Sequence, residues 1–378
     1  MGMIKVIPIH TKQEENDFIA FPKVLYADCK QYVPDMDMDM RNMFDPKKNS
    51  GLAFTDLQGF VAYRDDKVVG RIVGIINHHA NEKWNKKTVR FAYFDFVDDR
   101  QVSEALLKAV ENWGRNHGMD NVEGPLGITD FDKEGMLVED FDKLSSMVTY
   151  YNYAYYPEHM EALGYEKAVD WVSIRVDVPK KVPAKYARVS KLSGEMFGLQ
   201  VKCVTKKQFV QENIGHKLFE LLNAAYSPLF GFSKMTEEQA DEFVDKYLPL
   251  LNLDLLPMVV NNKGEIVAAA VTIGSLSHAL QKANGKLFPL GWYHLLKSLK
   301  WKREDTVELL LIAVRPDLQG LGVNALLFDD LIPKYNKLGF KFAETGPQLE
   351  DNVKELSQWK PLGPSIIKRR RCYKKSIQ

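Results

Sequence analysis

The chain has 378 residues, 45% apolar and 27% charged, with a formal net charge of +1. This composition is globular and excludes a disordered or fibrous chain, and the near-neutral balance gives no overall pull toward nucleic acid or an anionic surface. Cys29, Cys203 and Cys372 lie far apart in sequence. Such a sparse, odd set argues against a disulfide framework and a zinc site, and a reducing, cytoplasmic setting follows.

The length predicts more than one domain. The N-terminus, MGMIKVIPIH, turns polar too soon for a signal peptide, and Val6 stands where a myristoylation signal needs Ser or Thr. No apolar run reaches the ~18 residues of a membrane span. No membrane or nucleic-acid partner is therefore expected. The segment 35–45 alternates Asp and Met but lacks the glycine and terminal glutamate of a calcium loop. It is expected to be an exposed loop or lid. The histidines show no ligand spacing, and no metal site is expected.

Strands 59–63 and 68–77 flank the turn Asp65-Asp66-Lys67 as a hairpin. Another strand opens at Thr88. A helix carrying Ala105-Leu106-Leu107 follows and stops at Gly118, as a left-handed cap requires. Glu123 lies five residues on, before Gly124-Pro125. Tyr150, Tyr151, Tyr153, Tyr155 and Tyr156 then form a run suited to an interface between two lobes or to a cleft wall. A helix ending in Leu163-Gly164 leads into a long strand.

The same order then recurs. A hairpin turns at Asn261–Gly264, and a strand opens at Thr306. A helix carrying Ala325-Leu326-Leu327 stops at Gly339. Glu344 lies five residues on, before Gly346-Pro347, and Leu362-Gly363 precedes a last strand. A shared order of this kind predicts a tandem duplication. Lobes 1–178 and 196–378 are expected, joined by a linker at 179–195, where Pro179, Pro183 and Gly194 cluster.

The halves differ in one loop. In the second half, Gln319, Gly320, Leu321, Gly322, Val323 and Asn324 connect the strand ending at Val314 to the helix. Glycines let the backbone approach a ligand closely, and a helix start offers free N–H groups and partial positive charge. Together they form a cradle for a phosphate or pyrophosphate. The first-half loop is two residues shorter and reads Val97-Asp98-Asp99-Arg100-Gln101-Val102. It has no glycine, and its carboxylates would repel a phosphate. The basic tail, Lys368 to Lys375, is expected to be a solvated edge strand protected by its charge. Contact with a phosphate or with an anionic acceptor is the alternative.

Gln319, Gly322 and Asn324, with Val314 and Pro316 leading in, resemble the phosphate loop of the GNAT superfamily of acyl-coenzyme A-dependent N-acyltransferases. Asn324 departs from the family's small residue. The resemblance implies an α/β (α+β) fold of two tandem GNAT-like lobes, each a mixed, mostly antiparallel sheet flanked by helices. It implies acetyl-CoA or another acyl-CoA lying in a splay between two strands of the second lobe. A small-molecule or peptide amine would attack it directly in a ternary complex. The first lobe would be degenerate.

Glu308, the one charge in strand 307–314, stands where the histone-acetylating branch carries its catalytic base. Glu344 is a second carboxylate beside the splay, although Glu123 holds its place in the first half. Asn352 matches a family asparagine. Trp359 then stands where the family's acid, a tyrosine, is expected, and an indole N–H is no proton donor of suitable pKa. Tyr335 and Tyr373 are substitutes in sequence only. Two alternatives carry the same fold: an aminoacyl-tRNA-dependent aminoacyltransferase, and a non-catalytic CoA-binding regulator. The acceptor and the oligomeric state are not readable from the sequence.

Overall fold

The structure is a computed structural model that describes residues 2–301 and 303–377. The first half runs β1 (Ile4–Pro8), α1 (Lys12–Leu25), α2 (Asp37–Asn42), β2 (Thr55–Arg64), β3 (Lys67–Asn77), α3 (His78–Trp84), β4 (Thr88–Phe96), α4 (Arg100–Asn116), β5 (Asn121–Gly124), β6 (Met136–Glu139), α5 (Tyr155–Ala162) and β7 (Glu166–Asp177). The second half begins with α6 (Ala184–Phe197), β8 (Gln200–Lys202), α7 (Lys206–Gln211), α8 (Ile214–Tyr226), α9 (Glu237–Tyr247), β9 (Met258–Val260) and β10 (Ile266–Gly274). It continues with α10 (Ser277–Ala283), α11 (Gly291–Lys300), β11 (Thr306–Val314), α12 (Asn324–Leu338), β12 (Phe342–Thr345), β13 (Gln348–Leu349), α13 (Val353–Ser357) and β14 (Ser365–Ser376).

Local chemistry sets these boundaries. Asp65 and Asp66 both take left-handed angles, as a two-residue hairpin turn requires, and fold β2 back on β3. Thr11 and Glu14 form a capping box that starts α1. Gly118 and Gly339, at φ 78° and 81°, end α4 and α12 as the sequence predicts.

Two compact units result. Unit 1 comprises Met1–Trp171, Ser277–Leu295 and Lys368–Gln378; unit 2 comprises Val172–Leu276 and Leu296–Ile367. Within unit 1 the strand order is β1-β2-β3-β4-β5-β14, and β6 pairs with β14. Within unit 2 it is β8-β9-β10-β11-β12-β7. The repeat is thus visible as one order used twice, with a parallel β4–β5 or β11–β12 pair in a mostly antiparallel sheet. The closing strand of each sheet comes from the other half of the chain. The segment 179–195 lies inside unit 2, and most of it is α6.

In unit 1, α4 buries Val102, Leu106, Leu107 and Val110 on one face against β3 and β4. In unit 2, α12 does the same with Leu327, Leu331, Ile332 and Tyr335 against Val267, Ala270, Val307 and Leu309.

Three expectations are corrected. The segment 35–45 is not an open loop: it contains α2, held by ion pairs of Asp37 with Lys23, Asp35 with Lys133 and Arg41 with Glu15. The tyrosine run packs inside unit 1, where Tyr156 is 1% exposed. The tail is no edge strand: β14 lies between β5, which it pairs through 373–376, and β7, and it also pairs with β6 through 369–371. Its alternate residues Lys368, Arg370 and Cys372 are buried. The period-2 alternation of a strand set between two neighbours overrides the charge pattern.

Because 368–378 complete the sheet of unit 1, deleting them is expected to destabilise β5, which lies far away in sequence. Hydrogen exchange at Val122 and Glu123 should speed up markedly. Exchange as slow as in the full chain would show that β14 does not hold this sheet.

Candidate functional site

β11 and β12 run parallel and pair from Thr306↔Phe342 to Leu309↔Thr345. The Gly346 N–H then donates to the Leu309 carbonyl at 3.0 Å, and there the pairing ends. β11 continues to Val314, held on its other side by β10. The strands therefore splay. Beyond the apex, the Tyr226 hydroxyl at the end of α8 donates to the Ile312 carbonyl at 3.0 Å and faces the Ile312 N–H at 3.4 Å.

The glycine loop sits at the far end of β11. Gly320 and Gly322 have φ of 78° and 81°. A side chain at Gly320 would meet nothing, so this part of the loop is open. At Gly322 a Cβ would lie 2.4 Å from Val189 of α6. Gly322 thus serves packing as well as turning. The Ser193 hydroxyl of α6 donates to the Leu321 carbonyl at 2.8 Å and fixes the loop from behind. Gln319 Nε2 donates to the Val314 carbonyl at 3.0 Å, tying the loop to the strand. Val323 is buried and packs in the core. Asn324 opens α12, and its side chain donates to Gln358 Oε1 at 2.9 Å.

A small, mostly apolar cavity lies beside the apex. Its walls are Val176, Val178, Leu309, Phe328, Ile332, Tyr335, Ala343, Trp359 and Leu362, with Glu344 and Thr345 at the strand end. Trp359 is 2% exposed, stacks edge-on against Phe328 at 5.2 Å, and donates its indole N–H to Gln348 Oε1 at 3.0 Å. It both packs in the core and lines the cavity. Asn352 caps α13 through the Glu355 N–H at 3.3 Å. Of the two substitute tyrosines, Tyr335 lines the cavity and Tyr373 belongs to unit 1.

Val307 and Leu309 face the core under α12, so Glu308 points to the opposite face of the sheet. It is 5% exposed and lies directly beside Glu344 in the parallel register. Glu344 is paired with Arg175 at 3.2 Å, and that guanidinium lies 3.8 Å over the Phe342 ring. The structure brings Glu308, Glu344 and the splay together. The glycine loop stands at the outer end of the same strand.

The equivalent positions in unit 1 are filled. Arg90 takes the place of Glu308 opposite Glu123, which binds Lys86 at 2.7 Å. Asp99 caps α4 through the Gln101 N–H at 2.8 Å and pairs with Arg64; Asp98 meets His159 at 3.0 Å. The open edge of β4 is covered as well. Tyr155 donates to the Phe96 carbonyl at 2.6 Å, and the Phe96 N–H donates to the Tyr156 hydroxyl at 3.2 Å.

Sequence reasoning missed Tyr226, Arg175 and Ser193. No spacing marks Tyr226 or Ser193, because helices distant in sequence bring them to β11 and the loop. Arg175 carried a weak signal as a charge in an apolar strand.

No protein-family profile matches the chain. Over 379 aligned positions it is 28% identical to "Protein YghO" of Escherichia coli K12, covering 98% of this chain and 95% of that protein. Over 317 positions it is 27% identical to the bacterial ceramide synthase of Caulobacter vibrioides, covering 84% of this chain and 82% of that one. Among solved structures, a tandem GNAT protein from the clavulanic acid biosynthesis pathway matches with a TM-score of 0.56 at 12% identity, covering 100% of this chain and 99% of that chain. A GCN5-related N-acetyltransferase from Sphaerobacter thermophilus matches with a TM-score of 0.52 at 12% identity, covering 99% and 96%. The chain has the tandem GNAT fold.

Burial pushes the Glu355 carboxyl beside this site up to about 7, from an ordinary 4.5. Between those values the folded chain holds a proton that the unfolded chain releases. Its contribution to stability therefore falls as pH rises through that window and is constant above it. Glu355→Gln should flatten this slope and raise the melting temperature relative to the parent above pH 7. An unchanged difference between the two proteins from pH 4.5 to 8 would refute the shift.

Proposed function

We propose that the chain is an acyl-CoA-dependent N-acyltransferase whose donor site lies in unit 2. One observation carries this reading: beside the splayed strands the glycine-turned helix start of unit 2 is open, while in unit 1 the helix start is filled by its own carboxylates. The pyrophosphate of the donor would meet the N–H groups at Gly320–Asn324. Its pantetheine arm would pair with β11 beyond Leu309, taking over the Ile312 groups and freeing the Tyr226 hydroxyl near the thioester.

The proposed roles follow from position. Glu308 takes the proton from the attacking amine, as the buried carboxylate of β11 at the start of the splay. Tyr226 replaces the family's tyrosine and protonates the leaving thiolate. No metal and no covalent enzyme intermediate enter this scheme. The amine attacks the thioester carbonyl, the tetrahedral oxyanion collapses, and free CoA thiol and an amide leave.

The apex cavity is too small to hold an acyl chain, so a donor longer than acetyl rests on sequence likeness. Each buried methylene contributes about 0.8 kcal/mol, or roughly a fourfold gain in affinity. The likeness to a bacterial ceramide synthase supports a long acyl chain and an amphiphilic primary amine as acceptor. The cytoplasmic setting expected from the cysteines fits a CoA ester as co-substrate.

The test is release of CoA thiol with acyl-CoAs from two to sixteen carbons and long-chain amines. Turnover should rise with chain length. Glu308→Gln and Tyr226→Phe should each lower kcat by about 10²–10⁴-fold, with little change in acyl-CoA affinity. The Glu308 effect should shrink at high pH, where the amine is already neutral; the Tyr226 effect should not. Absence of acyl-CoA binding by calorimetry would overturn the reading, and two equivalent sites per chain would overturn the degenerate role of unit 1.

A further inference from the structure

Residues 282–303 carry six lysines and arginines, one histidine and no carboxylate. The rest of the chain balances its charges, so this is a local basic segment. The same segment exposes large apolar side chains. Phe288 is 77% exposed, Leu290 60%, Trp292 46% and Tyr293 37%, and Trp301, just after α11, is 64% exposed. Every other large apolar side chain that is exposed among the described residues is aliphatic. All the exposed aromatic rings of that kind are thus gathered on one stretch of chain. Single exposed apolar residues are ordinary; a contiguous group is a docking surface.

α11 is anchored on its other face. Ser298 is buried and donates to the Ser275 carbonyl at 3.3 Å. Trp292, Tyr293, Lys297 and Lys300 are exposed along the helix. At ten residues it is about 15 Å long, and no helix among the described residues is long and apolar enough to cross a membrane. Aromatic rings with one wet edge, interleaved with long basic side chains, favour the boundary between acyl chains and headgroups. Lysine stems lie along such a boundary while their ammonium groups reach the phosphates. A protein interface of this size would be depleted of lysine at its centre.

We infer that residues 286–301, with Arg303, dock the protein on an anionic membrane surface. Phe288, Leu290, Trp292 and Trp301 enter the acyl boundary, and Lys297, Lys300 and Arg303 meet headgroup phosphates. This departs from the expectation of no membrane partner, which considered spanning segments and the overall charge but not a local basic segment. It stands on the exposed segment alone and does not depend on the proposed reaction.

The test is flotation of the full-length protein with vesicles of phosphatidylglycerol and phosphatidylcholine, against phosphatidylcholine alone. The protein should float with the anionic vesicles, and at least about tenfold less with the neutral ones or at high salt. Lys297→Glu with Lys300→Glu, and separately Phe288→Ser with Leu290→Ser and Trp292→Ser, should each reduce binding about tenfold or more. Circular dichroism and the melting temperature should stay unchanged, because these side chains are exposed. The inference is overturned if the parent protein stays unbound with anionic vesicles, or if the folded variants float as well as the parent. It is also overturned if the apolar variant only converts a dimer to a monomer, which would make the face a contact between copies of this chain.

Discussion

A strand inside a sheet that loses its neighbour partway is the constraint on which unit 2 is built. Main-chain N–H and C=O groups need partners once water is excluded. Pairing of β11 with β12 ends at Leu309, yet β11 runs on to Val314. The exposed edge calls for a substitute, and Tyr226 supplies one at Ile312. A ligand with amide groups of its own can take that place. The glycine loop, the apex cavity and the two adjacent glutamates are all arranged around this one edge.

Duplication makes the comparison internal. Both units use the same strand order and the same parallel pair, so their differences isolate what was changed. In unit 1 the helix start is occupied by its own carboxylates, and the strand edge by Tyr155 and Tyr156. A buried arginine replaces the glutamate at the pairing end of the strand. Each change satisfies locally a group that would otherwise seek a ligand. Unit 1 also has a polar core in which Arg71, Asp95, Tyr26 and Tyr156 bond one another.

Each sheet is also completed by residues from the opposite half of the sequence. β14 closes unit 1, and the second half of β7 closes unit 2. Contacts so far apart in sequence delay folding, because loop closure must precede them. Neither half of the chain contains every strand of one sheet.

Much was legible from residue order alone. The hairpin at Asp65-Asp66, the helix stops at Gly118 and Gly339, the duplication and the phosphate-type loop are local signals that depend on backbone angles and short periods. Glu308 was legible as a lone charge in an apolar strand. The basic tail was misleading, because charge marks a surface only until a strand gains neighbours on both sides. The tyrosine run was seen, but its role as the cover of β4 was not. Tyr226 on Ile312, Ser193 behind the loop and Arg175 on Glu344 join residues 86, 128 and 169 positions apart. Local sequence determined which elements form and which loop turns tightly. The tertiary structure alone decided which edge stays open and what covers it, because both depend on partners brought together from distant parts of the chain.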